Sequence, residues 1–136
     1  MPAEARGTSE KSAKAFAEHY FMLLNYATAT GDTDPVHGLA TLNCESCANF
    51  KAKIDKIYRA GGHIRSDGWE LQSVKPVARQ PDSRPILQLG MLLHSQRVLL
   101  RKGGQETEFK GGKQPMTMFL VRSASQWKVS RLDLVV

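Results

Sequence analysis

Ile57-Tyr58-Arg59-Ala60-Gly61-Gly62-His63-Ile64-Arg65-Ser66-Asp67-Gly68-Trp69-Glu70-Leu71-Gln72-Ser73-Val74-Lys75-Pro76 is where this chain changes its period. Up to Tyr58, apolar residues recur three and four apart, the spacing of a helix with one buried stripe. From Trp69 the spacing becomes two: Trp69, Leu71, Ser73 and Lys75 alternate with Glu70, Gln72, Val74 and Pro76, as in a half-buried strand. Gly61-Gly62 stands between the two regimes and ends the helix, with Lys56 and Arg59 near its negative end. Helices before this point and strands after it predict an α+β fold.

Upstream, residues 9–30 predict a long amphipathic helix. Ala13, Phe16, Ala17, Tyr20, Leu24 and Ala27 form its stripe, Ser9 or Thr8 caps it, and Gly31 ends it. Asp34-Pro35 begins a short second helix, with Asp34 as cap and Val36, Leu39 and Leu42 facing inward. Asn43 caps a third helix over residues 44–60, whose stripe is Cys47, Phe50, Ile54, Ile57 and Tyr58.

Downstream, Pro81-Asp82-Ser83-Arg84-Pro85 reads as a turn and residues 86–101 as one long strand, with Leu87, Leu89, Met91 and Leu93 on one face. Lys102-Gly103-Gly104-Gln105 is a hairpin turn. Residues 106–123 form another strand, interrupted at Gly111-Gly112-Lys113-Gln114-Pro115 by a bulge or kink. Ser123-Ala124-Ser125 turns into a last strand, 126–136. The expectation is three helices packed in a curved antiparallel sheet of about four strands, cone-like, filling residues 10–136 as one domain.

The chain has 136 residues, 41% hydrophobic and 24% charged, an ordinary globular composition. No stretch approaches the ~20 apolar residues of a membrane span. Residues 1–9 read as a linker remnant with an initiating Met added, a targeting segment having been cut away. The net charge of +6 comes from 19 Lys+Arg against 13 Asp+Glu. The cations are scattered (Lys51, Lys53, Lys56, Arg59, Arg97, Arg101, Lys102, Lys110, Lys113) and no exposed aromatics interleave them, so nucleic acid is not the expected partner.

This order of elements resembles the superfamily of nuclear transport factor 2, ketosteroid isomerase and scytalone dehydratase, with its cystatin-like α+β cone. A narrower resemblance rests on Ala15-Phe16-Ala17-Glu18-His19-Tyr20-Phe21, Leu24-Asn25-Tyr26-Ala27, Thr30-Gly31-Asp32-Thr33, Cys44 and Cys47, Tyr58 with Gly61-Gly62, Trp69, and Trp127-Lys128-Val129-Ser130-Arg131-Leu132. These are similar to a family of actinobacterial surface lipoproteins of unknown function. That resemblance implies export to the extracytoplasmic face of the cell membrane and a lipid anchor outside this chain.

Cys44-Glu45-Ser46-Cys47 has three chemical readings: a local disulfide, a redox pair, or half of a metal site. Export implies oxidising conditions and puts the disulfide first. Residues three apart in a helical turn lie ~5–6 Å apart at Cα, within disulfide reach. A redox pair is favoured by a helix N-terminus, but thioredoxin-like proteins carry that motif between a strand and a helix. Zinc needs two more ligands, and no second cysteine pair exists. The histidines, His19, His37, His63 and His94, form no ligand-spaced pair. No metal and no cofactor are expected.

The expected function is a non-catalytic cell-envelope domain. It would bind a small apolar ligand or a partner protein through the cone mouth or the sheet face, and homodimerise through the sheet. The candidate pocket is Phe16, Tyr20, Tyr26, Trp69, Leu89, Met118 and Trp127. The alternative is a small isomerase- or dehydratase-like enzyme with Tyr20 and Tyr26 as donors and an acid such as Glu45. Glu45 is equally accounted for by the first turn of a helix, and Asp133 by pairing with Arg131 or Arg122. No catalytic residue is assigned.

Overall fold

The computed structural model describes residues 9–80, 84–123 and 125–135. The linker read over residues 1–9 therefore falls outside the described residues except for Ser9, as do parts of the turns at 81–85 and 123–125. Among the described residues three helices precede eight strands: α1 (Glu10–Thr30), α2 (Asp34–His37), α3 (Glu45–Arg59), β1 (His63–Arg65), β2 (Trp69–Arg79), β3 (Pro85–Leu93), β4 (Gln96–Leu99), β5 (Thr107–Phe109), β6 (Gly112–Lys113), β7 (Met116–Ser123) and β8 (Gln126–Leu134).

The α+β class and the antiparallel pairing hold, but eight strands replace the expected four. The four long strands form one sheet in the order β2-β3-β7-β8, with β6 against the end of β3. The short strands form a second sheet, β1-β4-β5. The single strand expected over 86–101 is thus two, broken at His94-Ser95 where the chain leaves one sheet for the other. At the break the His94 N–H leaves the β3 ladder and donates to Gly68 O at 2.9 Å.

α1 buries the stripe read from its sequence, together with Ser12 and Phe21. Ser9 Oγ accepts the Ser12 N–H at 3.1 Å and so caps the N-terminus. Gly31 closes the helix at φ 82°, and a Cβ there would press into the Tyr58 ring, 2.6 Å from its Cγ. Both backbone and neighbour therefore require glycine.

The two later caps sit one residue from where the sequence put them. Thr33, not Asp34, flanks α2, yet its hydroxyl makes no cap bond. It donates instead to Asp55 Oδ1 on α3 at 2.7 Å. Cys44, not Asn43, caps α3, its Sγ accepting the Cys47 N–H at 3.3 Å. Leu42 is 92% exposed rather than inward. The cause is the segment beside it, which Thr41 N–H and the Leu39 carbonyl tie to Val129 on the edge of β8, each bond 2.9 Å.

β2 corrects the simple alternation. Leu71 pairs with Met91 and Ser73 with Gly90, so Gln72 is an extra residue in a bulge. A bulge reverses which side faces the core. Trp69 and Leu71 point inward before it, and Val74 after it, all three packed on the core. Inward residues of the other strands are Leu87, Leu89 and Met91; Met116, Met118 and Leu120; and Trp127, Val129 and Leu132. α1 lies against β1, β2 and β3, and α3 against β1 and β8, so both long helices bridge the two sheets.

Candidate functional site

Five of the seven candidate pocket residues are core. Phe16, Leu89 and Met118 are 0% exposed, Tyr20 1% and Trp127 3%. Burial pushes the Tyr20 phenol well above its ordinary pKa, so it stays neutral. Tyr26 stands on the outer face of α1, 46% exposed, because it falls off the stripe that Ala13, Ala17, Leu24 and Ala27 define. Glu45 is exposed at the start of α3, beside Arg131 and Asp133, whose ion pair spans 2.9 Å. Tyr20, Tyr26 and Glu45 are thus not brought together. Buried polar or charged residues, among those described, are Ser12 and Thr33.

Trp69, the seventh, lines an apolar notch of about 90 Å³ where the long helices meet both sheets. α1 contributes Leu24 and Thr28; α3 contributes Phe50, Lys53 and Ile54. Ile64, Leu93 and Gln96 complete it from β1, β3 and β4. Thr28 turns its hydroxyl back to Leu24 O at 2.9 Å. Lys53 and Gln96 therefore supply the polar groups at the rim.

The walls of the notch are pinned. Trp69 sits between Phe21 and Phe50, each ring centroid 6.4 Å from its own. Its backbone is gripped by Asn25, whose Oδ1 accepts the Trp69 N–H and whose Nδ2 donates to the Trp69 carbonyl, both at 2.8 Å. Gly68, at φ 80°, admits this grip, since a Cβ there would overlap the Asn25 amide. On the other side Tyr58 donates to Thr28 O at 2.6 Å and accepts the Ile64 N–H at 3.3 Å. Leu24, Phe50 and Ile54 were legible as stripe residues. Lys53, Ile64 and Gln96 carry no sequence signal, because only tertiary folding brings α3 over β4.

Two more open grooves lie elsewhere. One, of about 340 Å³, runs past Asn43, Ser46 and Leu132. The other, of about 440 Å³, crosses the outer sheet face at Phe119, Val121 and Ser130. Asn43 and Arg131 border both. The guanidinium of Arg131 lies 5.1 Å from the centre of the Phe119 ring.

Cys44 and Cys47 form a disulfide, with Cα atoms 5.3 Å apart. Both are buried, at 1% and 8%. No group of His, Cys, Asp and Glu that could hold a metal ion occurs among the described residues. His94 lies 3.2 Å from Glu70, and His63 2.9 Å from Glu106. No helix among the described residues is long and apolar enough to cross a membrane.

No curated protein matches the chain in sequence. Solved structures share its fold at low identity. The intermembrane space region of the chloroplast protein ARC6 aligns over 96% of this chain and 98% of its own, with a TM-score of 0.66 at 9% identity. An uncharacterised protein with a cystatin-like fold from Caulobacter vibrioides aligns over 96% and 92%, with a TM-score of 0.59 at 11% identity. A putative aromatic ring hydroxylase from Novosphingobium aromaticivorans aligns over 100% and 92%, with a TM-score of 0.57 at 14% identity. The fold is therefore of the cystatin-like kind, and a fold by itself assigns no function. The model of a family of unknown function, DUF6318, matches residues 1–133, and the chain belongs to that family.

Proposed function

We propose that this is a non-catalytic recognition domain of the cell envelope that holds a partner protein by an apolar side chain inserted beside Trp69. The observation that carries the reading is the size and lining of the notch. Its roughly 90 Å³ falls below the 300–1,000 Å³ of sites that engulf a small molecule. It also falls below the ~150 Å³ of an engineered cavity that holds benzene. It suits a group of three or four carbons presented from outside, the size of a Val, Leu or Ile side chain. Rigid aromatic walls with a few polar rim groups are the usual make-up of an anchor-residue pocket. The buried Cys44–Cys47 disulfide, suited to oxidising conditions, supports the setting, and a lipid anchor outside this sequence would hold the domain at the membrane.

Methyl and indole NMR tests the reading. N-acetyl-leucinamide should shift Leu24, Ile54, Ile64 and Leu93 methyls and the Trp69 indole N–H selectively, while a steroid-sized probe should not. Selective shifts with the larger probe would replace the partner by a small apolar ligand.

A second copy of the chain on the outer sheet face is the second reading. There Ile86, Phe119 and Arg131 form one cross-strand row. Light scattering over a dilution series, with Phe119→Lys as the control, tests it; a monomer at all concentrations sinks it.

A further inference from the structure

We infer that the segment captured by the notch is acidic: an aliphatic anchor residue flanked by Asp or Glu, whose carboxylate meets Lys53. The inference rests on reading the notch as a partner site and adds the chemistry of the partner.

Three observations point the same way. First, Lys53 is exposed at the rim and takes no part in the ion pairs of α3, where Lys51 and Arg59 share Asp55. Lys56, one turn along, extends the same helix face. Second, none of the described residues that line the notch is an acid. Gln96 pairs with Phe109 across the β4–β5 ladder, and Val98 with Thr107. Successive side chains alternate faces, so these four share the notch side of the small sheet. Third, the acids of that hairpin stand on the other face. Glu106 meets His63 and Arg65, and Glu108 is the cross-strand partner of Arg97. The His63 hydrogen bond holds the Glu106 carboxyl below its ordinary range, so it stays ionised there. Phe109, 52% exposed next to Gln96, extends the apolar surface beyond the notch. The result is an apolar floor with one charged residue, the cation Lys53, at its rim, the complement of an apolar anchor with an acidic neighbour.

Selection of a random dodecapeptide phage library on the whole chain tests this, followed by anisotropy titrations and NMR mapping. Enriched peptides should carry an aliphatic residue beside Asp or Glu and should shift the Trp69 indole. Lys53→Glu, at an exposed site, should keep its urea midpoint yet weaken these peptides about three- to tenfold. A peptide with its acid changed to Lys should regain affinity for that variant. Peptides that map to the notch without charge preference would overturn the acidic partner and leave the notch reading standing. Selection yielding no peptide that moves Trp69 would overturn both.

Discussion

Asn25 and Trp69 exchange two hydrogen bonds of 2.8 Å although 44 residues separate them. The amide of one helical side chain thus pairs with a strand backbone as a neighbouring strand would, and sets the depth of Trp69 in its notch. Asn25→Ala strands one backbone donor and one acceptor, each costing about 1–3 kcal/mol when buried. The expected loss, by urea denaturation, is about 2–4 kcal/mol, with a red-shifted Trp69 emission. Gly68→Ala, where φ is 80°, should fail similarly.

The fate of the candidate pocket gives a paired prediction. Met118→Ala removes a wholly buried side chain and should cost about 2–5 kcal/mol. Tyr26→Ala, at a surface position, should stay within about 0.5 kcal/mol. Equal effects in chemical denaturation would contradict the packed interior.

The disulfide closes a very short loop, so chain entropy gives about 2 kcal/mol, the low end of the usual range. Its reduction should lower the unfolding free energy in urea by that amount and fray the first turn of α3, where Cys44 is also the cap. Amide exchange that accelerates across the whole chain instead would show a wider role than a local clasp.

Acid should expose the Thr33–Asp55–Lys51 contact. Burial raises the Asp55 pKa, but hydrogen bonds from Lys51 and Thr33 and the charges of Lys51 and Arg59 outweigh it, and the net direction is down. A depressed folded pKa means that the unfolded chain takes up the proton first as pH falls. The stability is therefore present above the ordinary carboxyl value of about 4 and drains away below it. Asp55→Asn should flatten that part of the pH–stability curve; an unchanged acid slope would contradict the assignment.

The sequence showed the helix stripes and the change of period at Gly61-Gly62, because each depends on local spacing; the spacing of Cys44 and Cys47 left three readings open, and the disulfide came first only through the export that the resemblance implies. It hid whatever depends on a distant partner. The Gln72 bulge cannot be seen without Met91 and Gly90 opposite it. The division of residues 86–101 between two sheets depends on where β1 and β7 lie. Leu42 had the spacing of a buried residue, yet the tie of Thr41 to Val129 turned it outward. The site suffered most: large aromatic and apolar residues such as Phe16, Leu89 and Met118 read equally as pocket or core, and packing made them core. Trp69 was read as a pocket residue of the cone and lines the notch instead, while Lys53 and Gln96, which give the notch its polarity, carried no signal.

Site-specific photo-crosslinking in the native host tests the central claim most directly. A benzoylphenylalanine replaces Lys53 at the rim of the notch in the full-length protein, and Met22, exposed on the far face of α1, in a control. The account predicts a discrete protein adduct from position 53 and none from position 22. Silence at position 53, or an adduct from it that contains no protein, would contradict it.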